Sequence, residues 1–184
     1  DDLNAFEGRV IVFDGPEDYH HRIDDPAENI DESCILVMRG AGPKGYPGGA
    51  EVVNMRPPEY LLKQGMETLP CIGDGRQSGT SASPSILNAS PEAAEGGGLA
   101  LIQTGDQLRI DLNDCSVDML VSEDQLAARR SALIARGGFE TAKSQSPWQQ
   151  YFREMVQPFD RGMTLRDADT YRNIAAKSLP RDNH

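Results

Sequence analysis

Two glycine-rich stretches of the sequence carry side chains that could do chemistry. The first, GAGPKGYPGGAE at 40–51, holds Lys44, Tyr46 and Glu51. The second, GDGRQSGTSASPS at 73–85, holds one arginine, four serines and one threonine. Glycine lets the backbone approach a ligand closely and present N–H groups to an anion. Together the two loops indicate a ligand site, although a tight connection between strands remains the simpler interpretation of either loop alone.

Neither loop matches a familiar catalytic motif. The first lacks the Gly-x-x-x-x-Gly-Lys-Ser/Thr spacing of a phosphate-binding P-loop. Around Ser78 and Ser81, the Gly-x-Ser-x-Gly pattern of a hydrolase nucleophile elbow fails. His20 and His21 lie in a charged predicted helix, far in sequence from both loops, and are expected at the solvated surface. The sequence therefore offers no good candidate for a serine–histidine–acid triad.

The composition argues against several classes of protein. The 184 residues suffice for one domain with a core, and the net charge of −11 argues against a nucleic-acid partner, which needs a basic surface. No apolar stretch approaches the roughly 20 residues of a membrane span, and no signal peptide is visible. Cys34, Cys71 and Cys115 are far apart and flanked by apolar residues. They are interpreted as buried thiols of a protein in the reducing cytoplasm.

The hydrophobic pattern predicts an α+β fold with a mixed or barrel-like sheet, because strands and helices do not alternate as regularly as in a doubly wound fold. Strands are predicted at 9–13, 34–39, 69–74 and 115–122, and a hairpin over 99–112 that turns at 104–106. Helices are predicted from Pro16, over 57–67, and over 122–138 with Ser122 as N-cap and Leu126, Leu133 and Ile134 as its apolar positions. A single helical turn is predicted at 90–97 with Ser90 as N-cap.

The chain divides into a domain at 1–139 and a C-terminal extension at 140–184. The extension holds the only tryptophan, Trp148, within the amphipathic piece WQQYFREMV. Because an apolar helix face needs a partner, the extension is expected to pack against another domain or a neighbouring subunit. The protein is therefore expected to be a homo-oligomer.

Four motifs, taken in their order along the chain, resemble a known family. They are GPKGYPG with the glutamate that follows, DGRQSGTS, SPEAAEGG and TGD. Together they resemble the C-terminal domain of the dihydroxy-acid dehydratase and phosphogluconate dehydratase family, over about residues 8–135. The wording of 73–101 is most similar to the branch that acts on pentonates, the xylonate and arabinonate dehydratases.

The resemblance implies a fold, a reaction and cofactors. The family's C-terminal domain is a swivelling β/β/α domain, similar to that of aconitase, and it closes over a site shared with a large N-terminal domain. The family removes water from a 2,3-dihydroxy sugar acid to give a 2-keto-3-deoxy acid. An iron–sulfur cluster acts on the departing hydroxyl, and Mg²⁺ holds the carboxylate end. Because the cluster ligands belong to the N-terminal domain, which this sequence lacks, the chain alone is expected to be inactive.

The resemblance also implies roles for three residues. Ser78, in Arg-x-Ser-Gly, matches the serine proposed to take the proton from C2, Glu51 matches a magnesium ligand, and Thr80 is expected to lie against the substrate. Gly49 stands where the family usually has methionine, so this wall of the site is expected to differ in shape. Serine is a poor base in water, so a metal, a positive field or backbone donors must stabilise its ionised form, and Arg76 lies two residues away.

Two hypotheses from other classes remain open. The chain could be a stand-alone module that holds a carboxylate or phosphate without chemistry, or a structural swivelling or oligomerisation domain. The upstream reading frame separates these hypotheses from the enzyme. Roughly 400 further residues with scattered single cysteines would favour the enzyme, and a start codon just upstream would favour the module.

Overall fold

Within the described residues, 4–49, 51 and 54–178 of a computed structural model, six strands form one mixed sheet. The strands are β1 Ala5–Asp14, β2 Cys34–Arg39, β3 Cys71–Gly73, β4 Ser85–Ile86, β5 Gln107–Asp111 and β6 Ser116–Met119. They lie in the order β4-β3-β2-β1-β5-β6, with β1 to β4 parallel and β5 antiparallel to both of its neighbours. This curled, half-barrel mixed sheet is compatible with the α+β, barrel-like fold expected from the sequence.

Five helices accompany the sheet in the described part of the chain: α1 Pro16–Arg22, α2 Glu59–Lys63, α3 Glu123–Ala135, α4 Pro147–Met155 and α5 Ala168–Lys177. The start of α1 at Pro16 is confirmed, and so is the capping signal of α3, where the Ser122 side chain accepts a hydrogen bond from the backbone of Gln125. The second predicted helix is shorter than expected and spans only α2. None of the described helices has both the length and the apolar character to cross a bilayer.

The core lies on both faces of the central strands. Val10 and Val12 of β1 point to one face, and Ile11 and Phe13 point to the other, because side chains alternate along a strand. Helices α1 and α2 cover the Phe13 face, while residues 93–102 and α3 cover the opposite face. Burial of each such apolar side chain contributes about 1.5–3 kcal/mol. A sheet buried on both faces exposes mainly its strand ends and edges to ligands.

The hairpin predicted over 99–112 is wrong. Residues 98–100 form a single 3-10 turn, and Leu101 and Ile102 are buried beneath the sheet without joining it as a strand. The turn at Gly105 instead lies beside β1 and leads into β5, since the Gly105 N–H donates to the carbonyl of Val10 at 3.0 Å. The real hairpin joins β5 to β6. The apolar run at 99–102 has the composition of a buried strand, although it belongs to the layer that covers the sheet, and composition alone does not distinguish the two.

Three residue predictions are also corrected. Cys115 is exposed, because it lies at the turn between β5 and β6 with φ of 51°. Ile134 is 70% exposed, because it lies about 100° around α3 from the buried Leu133. Ser90 does not cap a helical turn: its hydroxyl donates to the carbonyl of Asn88, and the short 3-10 turn begins after Glu92.

The first helix of the C-terminal extension is α4, and the extension contacts the rest of the chain at a few points. The Arg153 guanidinium donates to the carbonyl of Gly45 at 3.4 Å, and Val156 is buried. Trp148, in contrast, is 79% exposed, and Tyr151 beside it is 57% exposed. One face of α4 therefore contacts nothing within the described chain that could bury these rings.

Candidate active site

The two glycine-rich loops lie side by side. They follow β2 and β3, which are parallel neighbours, so both loops leave the sheet at the same edge. An isolated parallel bridge pairs Glu51 of the first loop with Arg76 of the second. The two loops that carry the predicted site residues therefore form one rim.

Glu51 and Arg76 also meet through their side chains. The Arg76 Nη2 donates to Glu51 Oε1 at 3.1 Å, and Nη1 donates to the carbonyl of Gly49 at 3.1 Å. Both side chains are about half exposed, at 46% for Glu51 and 47% for Arg76. An exposed ion pair of this kind contributes little to stability. Its carboxylate, however, remains within reach of a ligand or a metal.

Ser78 and Thr80 form a small hydrogen-bonded cluster with Asn54. The Ser78 Oγ lies 3.0 Å from the Thr80 Oγ1, and the Thr80 N–H donates to Ser78 Oγ at 3.3 Å. Asn54, three residues beyond the first loop, holds both residues: its Oδ1 accepts from the Ser78 N–H at 2.8 Å, and its Nδ2 donates to Thr80 Oγ1 at 3.2 Å. Ser78 is partly buried, while Thr80 and Asn54 are exposed. The backbone N–H that reaches Ser78 Oγ thus comes from Thr80, whereas the Arg76 guanidinium donates to the Gly49 carbonyl and to Glu51.

Asp74 lies beneath this rim and is fully buried. Its carboxylate accepts hydrogen bonds from the backbone N–H groups of Gly40 at 3.0 Å and Ala41 at 2.9 Å, which begin the first loop. It also accepts from the N–H of Ala93 at 2.8 Å. Burial raises the pKa of the Asp74 carboxyl, and the three N–H donors act against that rise. Asp74 therefore fixes the start of the first loop to the end of β3.

Glu92 is a second fully buried acid in the same layer. Its Oε2 accepts from the backbone N–H groups of Lys44 at 3.1 Å and Gly45 at 3.2 Å, in the middle of the first loop. Burial raises the pKa of Glu92 to about 7, and the negative charge of Asp74 adds to the rise. A Cβ on Gly42 would lie 2.4 Å from Glu92 Oε2, so only glycine allows this close approach.

The positive φ at position 49 favours glycine, and Met163 of the C-terminal extension packs against it. A Cβ added at Gly49 would lie 2.2 Å from the Met163 Cε, and the backbone there has φ of 56°. The thioether side chain of the extension therefore occupies the space that a side chain at 49 would need. The altered shape expected for this wall of the site stays a prediction.

The sequence analysis missed Asp74, Glu92 and Asn54. Asp74 lies in the second glycine-rich stretch and Glu92 in the predicted turn at 90–97, but neither was predicted to be a buried acid. The structure shows the packing around these acids, since a Cβ at Gly42 or Gly75 would meet neighbouring atoms within 3.0 Å. Such close packing indicates a buried loop rather than a solvated one. No local pattern marked Asn54, because both of its partners lie in the second loop.

Glu51 fits the role of one magnesium ligand, whereas the cysteines do not fit a cluster. A half-exposed carboxylate supplies the hard oxygen that Mg²⁺ prefers, and Mg²⁺ commonly takes only one or two protein carboxylates. Burial raises the pKa of Cys71 to about 12 and also raises the pKa of Cys34, so both thiols are protonated at neutral pH. Among the described residues, no three metal-binding side chains group together.

The rim is shallow beside Arg76. A cavity lined by Arg76, Gln77 and Leu87, among others, measures only about 10 Å³. A cavity of about 520 Å³ lies elsewhere, beside Asp14 and Phe139. Ligand sites usually enclose hundreds of cubic ångströms. The rim could therefore form one wall of an enclosed site only if another surface covered it.

Comparison with known proteins places this architecture in a family. The family model for the dihydroxy-acid/6-phosphogluconate dehydratase C-terminal domain matches residues 1–163. The chain is 56% identical over 180 residues to D-xylonate dehydratase of Caulobacter vibrioides, covering 98% of the chain and 29% of that protein.

Two further relatives broaden the comparison. L-arabinonate dehydratase of Rhizobium leguminosarum bv. trifolii is 36% identical over 182 residues, covering 99% of the chain and 30% of that protein. The 6-deoxy-6-sulfo-D-gluconate dehydratase of Pseudomonas putida is 42% identical over 132 residues, covering 72% of the chain and 23% of that protein. The chain thus spans less than a third of the length of these curated relatives. The match over most of its length shows that the chain belongs to the dihydroxy-acid/6-phosphogluconate dehydratase family, as the family's C-terminal domain.

Proposed function

We propose that this chain is the C-terminal domain of a sugar-acid dehydratase that converts a 2,3-dihydroxy acid, such as a pentonate, to a 2-keto-3-deoxy acid. The observation that carries the proposal is the rim at which the loop of Glu51 meets the loop of Ser78. The names of the relatives, a xylonate and an arabinonate dehydratase, support a sugar acid as substrate. The shallow rim supports a site that is completed by another part of the protein.

In the proposed reaction, Ser78 is the base. Its ionised hydroxyl takes the proton from C2 and becomes neutral, and the electron pair of the C2–H bond forms the C2=C3 double bond. The C3–O bond breaks with its electron pair on oxygen, which leaves as water after it gains a proton. The resulting enol then takes a proton at C3 and releases the proton of its C2 hydroxyl, which gives the 2-keto-3-deoxy acid. Thr80, exposed beside Ser78, is placed to contact the substrate as well.

Glu51 would hold Mg²⁺ through its exposed carboxylate, near the substrate's carboxylate end. Arg76 keeps that carboxylate in place, since it donates to both Glu51 and the Gly49 backbone. The Mg²⁺ and the iron–sulfur cluster that the family uses supply positive charge for the substrate's carboxylate and departing hydroxyl when bound. The cysteines of this chain do not fit the cluster, so its ligands are assigned to an N-terminal domain.

The architecture suits a swivelling β/β/α domain of the aconitase type that closes over an N-terminal cluster domain. The exposed Trp148 and Tyr151 support packing of residues 140–184 on that domain or on a second subunit of a homo-oligomer. We also propose a cytoplasmic location, which the three free thiols and the sugar-acid substrate support. Trp148→Ala is expected to weaken this packing and to lower the mass of the assembly, or the affinity between the domains, measured by ultracentrifugation. An unchanged assembly would contradict the proposed role of the extension.

Substitution of the proposed base tests the function. In the full-length protein, Ser78→Ala is expected to lower kcat by at least about a thousandfold, because no other base takes its place. Ser81→Ala is the matched control, since the Ser81 hydroxyl donates to Gln77 rather than reaching Ser78 Oγ. Both variants are expected to unfold as the parent does. Full turnover by Ser78→Ala on a pentonate would overturn the assignment and favour a binding or structural module.

A further inference from the structure

The amide of Asn54 can have only one orientation. The backbone N–H of Ser78 is a donor and nothing else, so the atom of Asn54 that lies 2.8 Å from it must be the oxygen. The nitrogen of the same amide then faces Thr80 Oγ1 at 3.2 Å and must donate to it. The backbone N–H of Ser78 thus determines the direction of the hydrogen bond between Asn54 and Thr80.

This orientation leaves the hydroxyl proton of Thr80 for Ser78. Thr80 Oγ1 accepts from Asn54, and its own O–H can then donate to Ser78 Oγ at 3.0 Å. The backbone N–H of Thr80 reaches the same Ser78 oxygen at 3.3 Å. When Ser78 is ionised and can only accept, two donors from Thr80 therefore converge on its Oγ. Hydrogen bonds in such a chain polarise one another, so the Asn54 amide strengthens Thr80 as a donor.

We propose that Asn54 and Thr80 form a donor relay that stabilises the ionised hydroxyl of Ser78, with Thr80 as the donor and Asn54 as a positioning residue. The inference rests on the proposed function, because it explains how a serine becomes a base. Donors that are already in place where negative charge develops are a common means of such stabilisation. The relay also gives Thr80 a role beyond contact with the substrate.

Three variants in the full-length enzyme test the relay. Thr80→Val keeps the shape of the side chain but removes the hydroxyl, and it is expected to lower kcat by roughly 10²-fold, as the loss of one such donor does elsewhere. Asn54→Asp keeps the acceptor for the Ser78 N–H but places a second acceptor against Thr80, so it is expected to lower kcat similarly. Thr80→Ser keeps the hydroxyl donor and is expected to retain most of the parent's activity. Ser81→Ala again serves as the control.

The pH profile separates this role from a structural or substrate-binding one. Loss of a donor destabilises the ionised serine, so the rise of kcat with pH is expected to move to higher pH in Thr80→Val and Asn54→Asp, with KM within about threefold of the parent. A residue that only binds substrate would raise KM and leave the pH profile of kcat in place. A change of stability alone would alter neither KM nor the pH profile of kcat.

A thiol in place of the serine gives a readout that needs no turnover. In the full-length Ser78→Cys protein, the pH dependence of alkylation at position 78, followed by mass spectrometry of its peptide, reports the pKa of the introduced thiol. Adding Thr80→Val or Asn54→Asp is expected to raise that pKa, because the thiolate loses a donor. An unchanged thiol pKa in both double variants would overturn the relay.

Failure of the relay and failure of the proposed function give different results. If Ser78→Ala retains turnover, the serine is not the base, and the proposed function fails first. If Ser78→Ala is inactive but Thr80→Val and Asn54→Asp keep the parent kcat and pH profile, only the relay fails. A rise in KM without a change in kcat would also overturn the relay and return Thr80 to a substrate contact.

Discussion

Two layers of polar side chains lie at the same rim, and they differ in what they bind. The lower layer, Asp74 and Glu92, is fully buried and accepts hydrogen bonds from backbone N–H groups. The upper layer, Glu51, Ser78 and Thr80, is exposed or half exposed and contacts mainly other side chains. The lower layer therefore sets the course of the loops, and the upper layer is free to meet a ligand. A site of this kind needs both, because a flexible glycine-rich loop holds no geometry without support.

Asp74→Ala is expected to have the largest effect on stability. It leaves the buried N–H groups of Gly40, Ala41 and Ala93 without their acceptor, and each such loss costs about 1–3 kcal/mol. The free energy of unfolding of this chain, measured in urea, is expected to fall by at least about 3 kcal/mol. Asp160→Ala removes an exposed carboxylate and serves as the control, with an expected change within about 0.5 kcal/mol. Equal small changes in both variants would mean that the buried layer does not hold the loops.

Glu92→Gln is expected to change stability in a pH-dependent way. The pKa of Glu92 is raised to about 7 in the folded chain, so the folded state keeps its proton where the unfolded state has lost it. That contribution is fully present below the unfolded pKa and is lost as the pH rises through about 7. Between pH 5 and pH 8, the parent is therefore expected to lose roughly 1–3 kcal/mol of unfolding free energy relative to Glu92→Gln.

The groups around Glu92 determine how this experiment is read. Asp74 and Glu95 face it with negative charge, while the Lys44 ammonium pairs with Glu95 at 2.8 Å. Because the parent and Glu92→Gln share all of these, their difference isolates Glu92 together with its coupling to Asp74. Parallel pH profiles of the two proteins would show that burial does not raise this pKa.

Glu51→Gln is expected to have the smallest effect on stability and a large effect on function. Its exposed pair with Arg76 contributes little, so the free energy of unfolding is expected to change by less than about 0.5 kcal/mol. In the full-length enzyme, the Mg²⁺ concentration for half-maximal activity is expected to rise at least tenfold, because a neutral amide is a weaker ligand than a carboxylate. Unchanged magnesium dependence would remove Glu51 from the proposed metal site and leave it as a structural partner of Arg76.

Long, strongly patterned elements could be predicted from the sequence. The runs RVIVF and CILVMR lie within β1 and β2, and Ser122 caps α3 as its spacing indicates. The hairpin over 99–112 could not be predicted correctly, because a buried covering segment resembles a strand when only composition is available. Whether an apolar run joins the sheet as a strand depends on its contacts with distant segments of the chain.

The candidate site shows the same division. The two loops could be identified from their glycines and hydroxyls, and they do meet at one rim. The buried acids could not, since Asp74 and Glu92 acquire their role only when the first loop folds over them. Asn54 was missed for the same reason, as both of its partners lie more than 20 residues away. The roles of Glu51, Ser78 and Thr80 stay predictions.

A crystal structure of the full-length Ser78→Ala protein with a bound pentonate would test the central claim most directly. The account predicts that the substrate lies against the rim, with its carboxylate end beside Glu51 and C2 roughly 3–4 Å from the position of the missing hydroxyl, within reach for proton transfer. A substrate bound away from the rim, for example in the cavity beside Asp14 and Phe139, would contradict it.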